Sequence, residues 1–330
     1  SSNLHINRCR IEQNEAQTGG GVYAIDATIK IRWTFFATNQ ATNGAGAYLE
    51  NSFGGSVYGC AFSQNVASTA GGGLYLDGAH GIAVTNTQFW NNSAQSSDGG
   101  GLYADAVSLV EITDSVFTNN FAGDDGGGLY VQNSSLFSVK QCSFTQNQAY
   151  WGGGVLLWQN AVTFNEVDFI QNQAHYYGGG AAVYYADETV FTQTTFDTNS
   201  ATANQGGGLF SYYSDDVEVS AATFVDNASV AAYGGGLALD HCLRFSLSDA
   251  FFSGNEAALG GAGTFLYYSD DSVFENSTFT QNISEGGGGG TWVIESPHFT
   301  IQNSLFSSNT ATNNGAGLLA TESDDLQVSD

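Results

Sequence analysis

Three motifs rich in carboxylates share one phase of a repeating sequence: Tyr184-Tyr185-Ala186-Asp187-Glu188, Tyr212-Tyr213-Ser214-Asp215-Asp216 and Tyr267-Tyr268-Ser269-Asp270-Asp271. Asp324 and Asp325 hold the same phase without the tyrosines. On neighbouring turns of a stacked structure, Asp187, Glu188, Asp215 and Asp216 meet about one strand spacing apart, roughly 4.8 Å. Like charges at about 4 Å repel by roughly 1 kcal/mol in water and about 4 kcal/mol at an effective dielectric of about 20. Either the carboxylates splay into solvent as turn residues, or a cation sits between them, and Ca²⁺ with about six to eight oxygen ligands suits the set. Asp98 with Asp124 and Asp125 forms a second acidic group, in loops of unequal length just before two glycine triplets.

The remaining ionisable residues narrow the chemistry. Thirty-two Asp and Glu stand against six Lys and Arg, for a net charge of -26, so nucleic acid and anionic membranes are excluded as partners. Arg244 occupies the phase that Asp216 and Asp271 occupy in their copies and is placed to neutralise the acidic line. The five His residues read as falling in unrelated phases, with no ligand set among them. Sequons stand at Asn91, Asn133, Asn227, Asn276 and Asn282; Asn227 and Asn282 fall on buried positions of the repeat, leaving Asn91, Asn133 and Asn276 as glycan carriers. No run of 18 apolar residues signals a transmembrane helix.

The elements that must position these groups are twelve copies of one unit, Phe-x-x-Asn, a small residue, a polar loop, a glycine triplet and an aliphatic-aromatic pair. The first Gly of the triplet recurs at intervals of 25 to 28 residues, from Gly19 to Gly315, and the Asn follows the same beat from Asn14 to Asn309. Such a period means a solenoid, and the Gly, Ser, Thr, Phe, Val and Tyr content with period-two alternation makes its coils β-strands. The expected fold is an all-β, single-stranded parallel β-helix of about twelve coils, running as one continuous domain over residues 1–330.

Parity assigns the slots. The Phe slot, and the aliphatic slot five residues before it (Ile6, Ile31, Val57 and onward), point inward as apolar ladders, and the Asn pins the register by bonding along its own ladder. Cys9, Cys60 and Cys142 share a slot held elsewhere by Thr, Ser, Val or Ala, so they read as small core residues rather than disulfide partners. The Ala or Ser two residues after each Asn fits a tight corner. The first and third Gly of the triplet need positive φ or close approach of another surface, leaving a bare outer face. Tyr23, Tyr48, Tyr75, Tyr103 and Tyr130 form an outward stripe beside it, and with Tyr184, Tyr212 and Tyr267 they are the residues expected to stack on sugar rings or to pack laterally.

In architecture the repeat resembles the right-handed parallel β-helix of pectin lyase-like proteins. In motif it is similar to the chlamydial polymorphic outer-membrane protein family, through elements such as Phe144-Thr-Gln-Asn147 followed by Gly152-Gly-Gly-Val-Leu156. That resemblance implies a surface-exposed adhesin, hence an extracellular or cell-surface location with glycans or a host surface as partners. The alternative is a carbohydrate-binding or polysaccharide-cleaving β-helix, for which the pectin lyase-like resemblance implies a carboxylate cluster or carboxylate-bound Ca²⁺ beside a basic residue, or closely placed carboxylates acting as acid and base. No Met occurs and both ends fall in mid-coil without a polar cap, which fits an excerpt of a longer array or a subunit of a fibre that associates end to end or laterally.

Overall fold

The computed structural model describes residues 2–330; Ser1, where the mid-coil start was expected, lies outside them. The chain is an all-β parallel solenoid of about 12 turns of about 27 residues. Its contacts group into two compact units, Ser1–Thr163 and Phe164–Asp330. Among the described residues no helix is long and apolar enough to cross a membrane.

One turn of the first unit runs through strands Leu102–Asp105, Ser108–Thr113, Val116–Thr118 and Phe121–Ala122. Each strand pairs in parallel with its counterpart one turn away, matching Leu102 with Leu129, Ile112 with Val139, Phe117 with Phe144 and Ala94 with Ala122. The strands are short because the chain turns repeatedly at residues in the left-handed region, such as Ala106 (φ 52°), Asp114 (φ 50°) and Asn119 (φ 53°). In the second unit the equivalent turn uses Leu209–Tyr212, Glu218–Ser220, Thr223–Val225 and Ala228–Ser229. There the strand that follows the first corner has three residues where the first unit has six.

Register is held by the asparagines. The Asn120 Oδ1 accepts from the backbone N–H of Asn92 (3.0 Å) and from its side-chain amide (3.1 Å), while Asn120 Nδ2 donates to Phe89 O (2.9 Å) and to Asn147 Oδ1 (3.0 Å). The amide-to-amide bond recurs from Asn14 to Asn147 in the first unit and from Asn172 to Asn309 in the second. Beside this polar ladder the Phe rings stack almost parallel, with centroids 4.6 to 5.0 Å apart from Phe36 to Phe144 and 4.4 to 4.8 Å apart from Phe169 to Phe306. Both ladders match the sequence reading.

Three local expectations are corrected. Ala122 does not turn a corner: it is a buried, inward residue of the strand Phe121–Ala122, and the bend lies before the ladder asparagine, at Asn119. The glycine triplets form no bare outer face, since all three glycines at 126–128 are buried. Gly126 takes φ 61° and a Cβ there would sit 2.9 Å from the Cβ of Tyr130, so the tyrosine folds over it; a Cβ on Gly128 would meet the Phe144 ring at 2.8 Å, so that glycine faces the core. The four cysteines are free; Cys60 and Cys142 are buried small residues as expected, Cys242 is buried as well, and Cys9, expected in the same core slot, is exposed.

Removing one rung of the asparagine ladder strands the buried N–H of Asn92 and takes a partner from the buried side-chain amides of Asn92 and Asn147. Each orphaned buried group costs about 1–3 kcal/mol. Asn120→Ala should therefore lose about 3 kcal/mol or more of unfolding free energy, read as a lowered urea midpoint, whereas a loss within a few tenths of a kcal/mol would mean that the ladder does not set stability.

Candidate functional site

Of the four carboxylates expected to share a cation, Asp187, Asp215 and Asp216 make hydrogen bonds within the chain. Arg244 donates through Nε to Asp216 Oδ1 and through Nη2 to Asp216 Oδ2, each at 2.7 Å, with Nη2 also 3.5 Å from Asp215 Oδ2. That bidentate bond holds the Asp216 carboxyl below the usual carboxylate range. Asp187 Oδ1 accepts the backbone N–H of Asp215 (2.8 Å), and Asp215 Oδ1 accepts that of Leu243 (2.9 Å). Arg244 neutralises Asp216, as its phase led one to expect, and Asp187 and Asp215 cap the next coil's backbone. Glu188 is exposed and makes no ion pair among the described residues.

The tyrosine stripe of the first unit is a packed layer rather than an exposed one. Tyr48, Tyr103 and Tyr130 are buried, Tyr75 is half-buried and Tyr23 is exposed. Their rings lie 4.4 to 5.7 Å apart. Tyr48 donates to Asp77 Oδ2 at 2.6 Å, Tyr23 donates to Glu50, and Gln132 joins the last two rings by donating to the Tyr103 hydroxyl at 2.6 Å and accepting from Tyr130 at 3.2 Å. Burial pushes the phenols of Tyr48, Tyr75, Tyr103 and Tyr130 up from their ordinary value. The alternation of the strand does turn these rings away from the core, but each folds back over the first glycine of its own triplet.

In the second unit the exposed rings are those one residue later than expected. Tyr184 is buried and Tyr212 and Tyr267 are half-buried, whereas Tyr185, Tyr213 and Tyr268 are exposed. His241 falls on the same phase as these three tyrosines. Tyr185 and Tyr213 stack at 5.9 Å and 18°, Tyr213 and His241 at 4.5 Å and 16°, and His241 and Tyr268 lie at 4.8 Å and 39°. Tyr212 and Tyr267 brace the ladder from beneath, 4.6 Å from Tyr213 and 4.3 Å from Tyr268. Asp240 Oδ1 is 2.5 Å from His241 Nδ1.

All four ladder residues are in the left-handed region, with φ of 52°, 44°, 57° and 48°. Backbone bonds to the next coil lock them there: Tyr185 N to Tyr212 O, Tyr213 N to Asp240 O and His241 N to Tyr267 O, at 2.9 to 3.0 Å. The same corner in the first unit carries Asp26, Asn51, Gly78, Ala106, Asn133 and Gln159, none of them aromatic. A bulky residue there costs of order 1–3 kcal/mol, and such cost is typically retained where a site needs it. The corner signal was present in the sequence, since Asn and Gly at this phase mark a left-handed residue whose replacement side chain must project outward.

The second acidic group does converge. One ligand oxygen from each of Asp98, Asp124 and Asp125 lies within 4.8 Å of the others. Asp98 Oδ1 accepts the Asp125 backbone N–H at 3.1 Å, and Asp125 Oδ1 is buried without a hydrogen-bond partner. Burial, with the neighbouring carboxylates adding, pushes Asp125 up to about 8, and burial pushes Asp98 up to about 6. A carboxyl whose folded value lies above its unfolded one makes the folded state bind the extra proton, so its contribution is intact below the unfolded value of about 4 and is lost as pH rises toward 8. Asp125→Asn should flatten this decline and add on the order of 2 kcal/mol of stability above about pH 8, with no gain below about pH 4. Melting temperatures of both proteins across that range test this; a gain independent of pH would contradict it.

Asn91, Asn133 and Asn276 are exposed, whereas Asn227 and Asn282 are fully buried in the ladder. The family described as right handed beta helix region matches residues 1–174 and again residues 153–330. No curated protein matches the chain in sequence. Among solved structures it is similar to tailspike protein 3 of bacteriophage CBA120, with 10% identity and a TM-score of 0.46 over 98% of this chain and 53% of the tailspike. The chain thus spans about half the length of that protein. It is also similar to the periplasmic alginate epimerase AlgG (11% identity, TM-score 0.48, 91% of this chain and 77% of the other). A third similar structure is PfbA, a surface adhesin of Streptococcus pneumoniae (10% identity, TM-score 0.40, 94% and 80%).

Proposed function

The chain belongs to the right-handed beta helix family, and on that premise we propose an extracellular or cell-surface adhesive protein whose second unit holds a polysaccharide along Tyr185, Tyr213, His241 and Tyr268. One observation carries the reading: four adjacent rings are held outward at strained corners, at 4.5 to 5.9 Å spacing, and the two phenols behind them keep them from collapsing onto the surface. The rings stack on one another, so the column turns ring edges and phenol hydroxyls outward, and those hydroxyls and edges are what a glycan would meet. Because the spacing comes from the backbone, a linear chain of sugars meets a repeated platform rather than a single contact. This agrees with the adhesin role implied by the motif resemblance, and N-linked glycans on the exposed Asn91, Asn133 and Asn276 belong to the same extracellular reading.

Tyr213→Ala removes the ring with neighbours on both sides. The variant should bind a linear polysaccharide roughly tenfold more weakly in affinity electrophoresis while melting within a few degrees of the parent, since the exposed ring lies outside the core. Tyr103→Ala should lose stability with no loss of binding. Unchanged binding by the Tyr213 variant, or turnover of the polysaccharide, would replace this reading.

A second reading rests on the buried, unpartnered Oδ1 of Asp125: Ca²⁺ held by Asp98, Asp124 and Asp125. Added Ca²⁺ should raise the melting temperature of the parent and leave Asp125→Asn unmoved. Calorimetry without heat and a melting temperature that stays put would dismiss it.

A further inference from the structure

Three of the protein's six Lys and Arg residues, Arg8, Lys30 and Arg32, gather on two adjacent turns of the first unit. All three are exposed and make no ion pair among the described residues, whereas Arg10 nearby is held by Glu12 at 2.6 Å. The strands around them, Ser2–Asn7, Ala27–Arg32, Phe53–Tyr58 and His80–Thr85, carry no Asp or Glu. The next strand of that sheet brings Glu111, which Lys140 neutralises at 2.8 Å. A chain with a net charge of -26 thus keeps one stretch of sheet clear of acid and sets unpaired cations on it.

An indole is seated beside them. Arg8, Trp33 and Gly59 stand at the same corner on successive turns, with φ of 54°, 50° and 62°. Arg8 N donates to Arg32 O and Trp33 N to Tyr58 O, each at 3.0 Å. A Cβ on Gly59 would lie within 3.0 Å of Cε3, Cζ3 and the ring-fusion carbon Cδ2 of Trp33 at once, which places it over the indole plane rather than at its rim. The glycine is therefore the seat for one face of the ring. Trp33 is still 49% exposed, so the opposite face is open to solvent, with Tyr58 standing perpendicular beside it at 5.0 Å. The next three turns put Asn86, Asp114 and Gln141 at this corner. A bulky residue in the left-handed region is costly and persists where its surroundings hold it, often at ligand clamps.

The chemistry of this face selects the ligand. An aromatic face carries negative quadrupole charge and receives the C–H face of a sugar ring. Lys30 and Arg32 project from the same side of their strand about 7 Å apart, and Arg8 stands one turn from Trp33. An uncharged sugar would use the indole and leave the cations idle; an acidic peptide would use the cations and leave the indole. A membrane or a duplex is too broad, because it would press its own phosphates against the acid-rich remainder of the protein. A thin chain meets only the patch, and charge beyond about 8 Å is largely screened at physiological ionic strength.

We infer that Trp33, Lys30, Arg32 and Arg8 bind an anionic saccharide chain, a sugar ring on the indole and its carboxylate or sulfate groups on the cations. This site lies within the first unit and does not rest on the ring ladder of the second. Arg pairs with either kind of oxyanion, so the two sources are separated by experiment.

The test is calorimetry at low salt and neutral pH with cellohexaose, its C6-carboxylated form and its C6-sulfated form. At least one charged form should bind about tenfold more tightly than the unmodified sugar, the tighter of the two naming the anion, and added salt should erase the difference. Lys30→Gln combined with Arg32→Gln should abolish the preference. Trp33→Ala should weaken the charged forms about tenfold. Both variants should melt within a few degrees of the parent, since the altered side chains are exposed. Tyr213→Ala should leave the preference intact, which tells failure here apart from failure of the second-unit reading. Equal affinity for all three sugars, or a preference that survives the Lys30 and Arg32 changes, would overturn the inference. Binding of oligoglutamate in place of the charged sugars, unmoved by Trp33→Ala, would overturn it in favour of an acidic peptide.

Discussion

The structure depends on the hydrogen bonding of one side chain per turn. Each ladder asparagine accepts a backbone N–H and a side-chain amide from one neighbour and donates to a carbonyl of that same turn and to the amide oxygen on its other side, so it is satisfied only when adjacent turns are in register. In strands a slip of one residue would send the Phe and aliphatic slots to the solvent face. The polar ladder excludes that slip because a shifted asparagine would be buried without partners. Loops between the asparagine and the triplet vary in length, yet Phe117 still meets Phe144 and Tyr103 still meets Tyr130.

Once register is fixed, every corner becomes a column. A residue chosen at a corner in one turn recurs a strand spacing away in the next, and neighbouring choices act together. In the first unit the corner after the post-triplet strand carries no aromatic ring, and the tyrosines just inside it are drawn down onto glycine, with Tyr48 bound to Asp77 and Tyr103 and Tyr130 to Gln132. In the second unit aromatic rings take the corner itself and cannot fold back. The difference between a packed tyrosine layer and a presented ring ladder is thus one residue of phase.

That difference explains how much was legible beforehand. The Phe, Asn and aliphatic slots were readable because burial constrains residue type in every copy: Phe or Ile11 in one, Asn in another, an apolar residue in the third. The positive φ of the first triplet glycine was readable for the same reason. The faces of Tyr48, Tyr103 and Tyr130 were not, because parity tells which side of a strand a residue leaves from and not whether a loop or its own ring covers it. Asp187, Glu188, Asp215 and Asp216 were correctly brought to adjacent turns, but the backbone N–H groups that Asp187 and Asp215 cap have no signature in sequence. His241 was missed because its phase was judged by residue type rather than by the corner it shares with Tyr213 and Tyr268.

The central claim is that the second unit presents its rings to a ligand while the first unit buries its own. Ring-proton NMR of protein labelled selectively at tyrosine and histidine, titrated with an oligosaccharide, tests it most directly. The account predicts shifts confined to Tyr185, Tyr213, His241 and Tyr268, with Tyr48, Tyr103 and Tyr130 unmoved. Shifts centred on the first-unit tyrosines, or none at the four corner residues at saturating sugar, would contradict it.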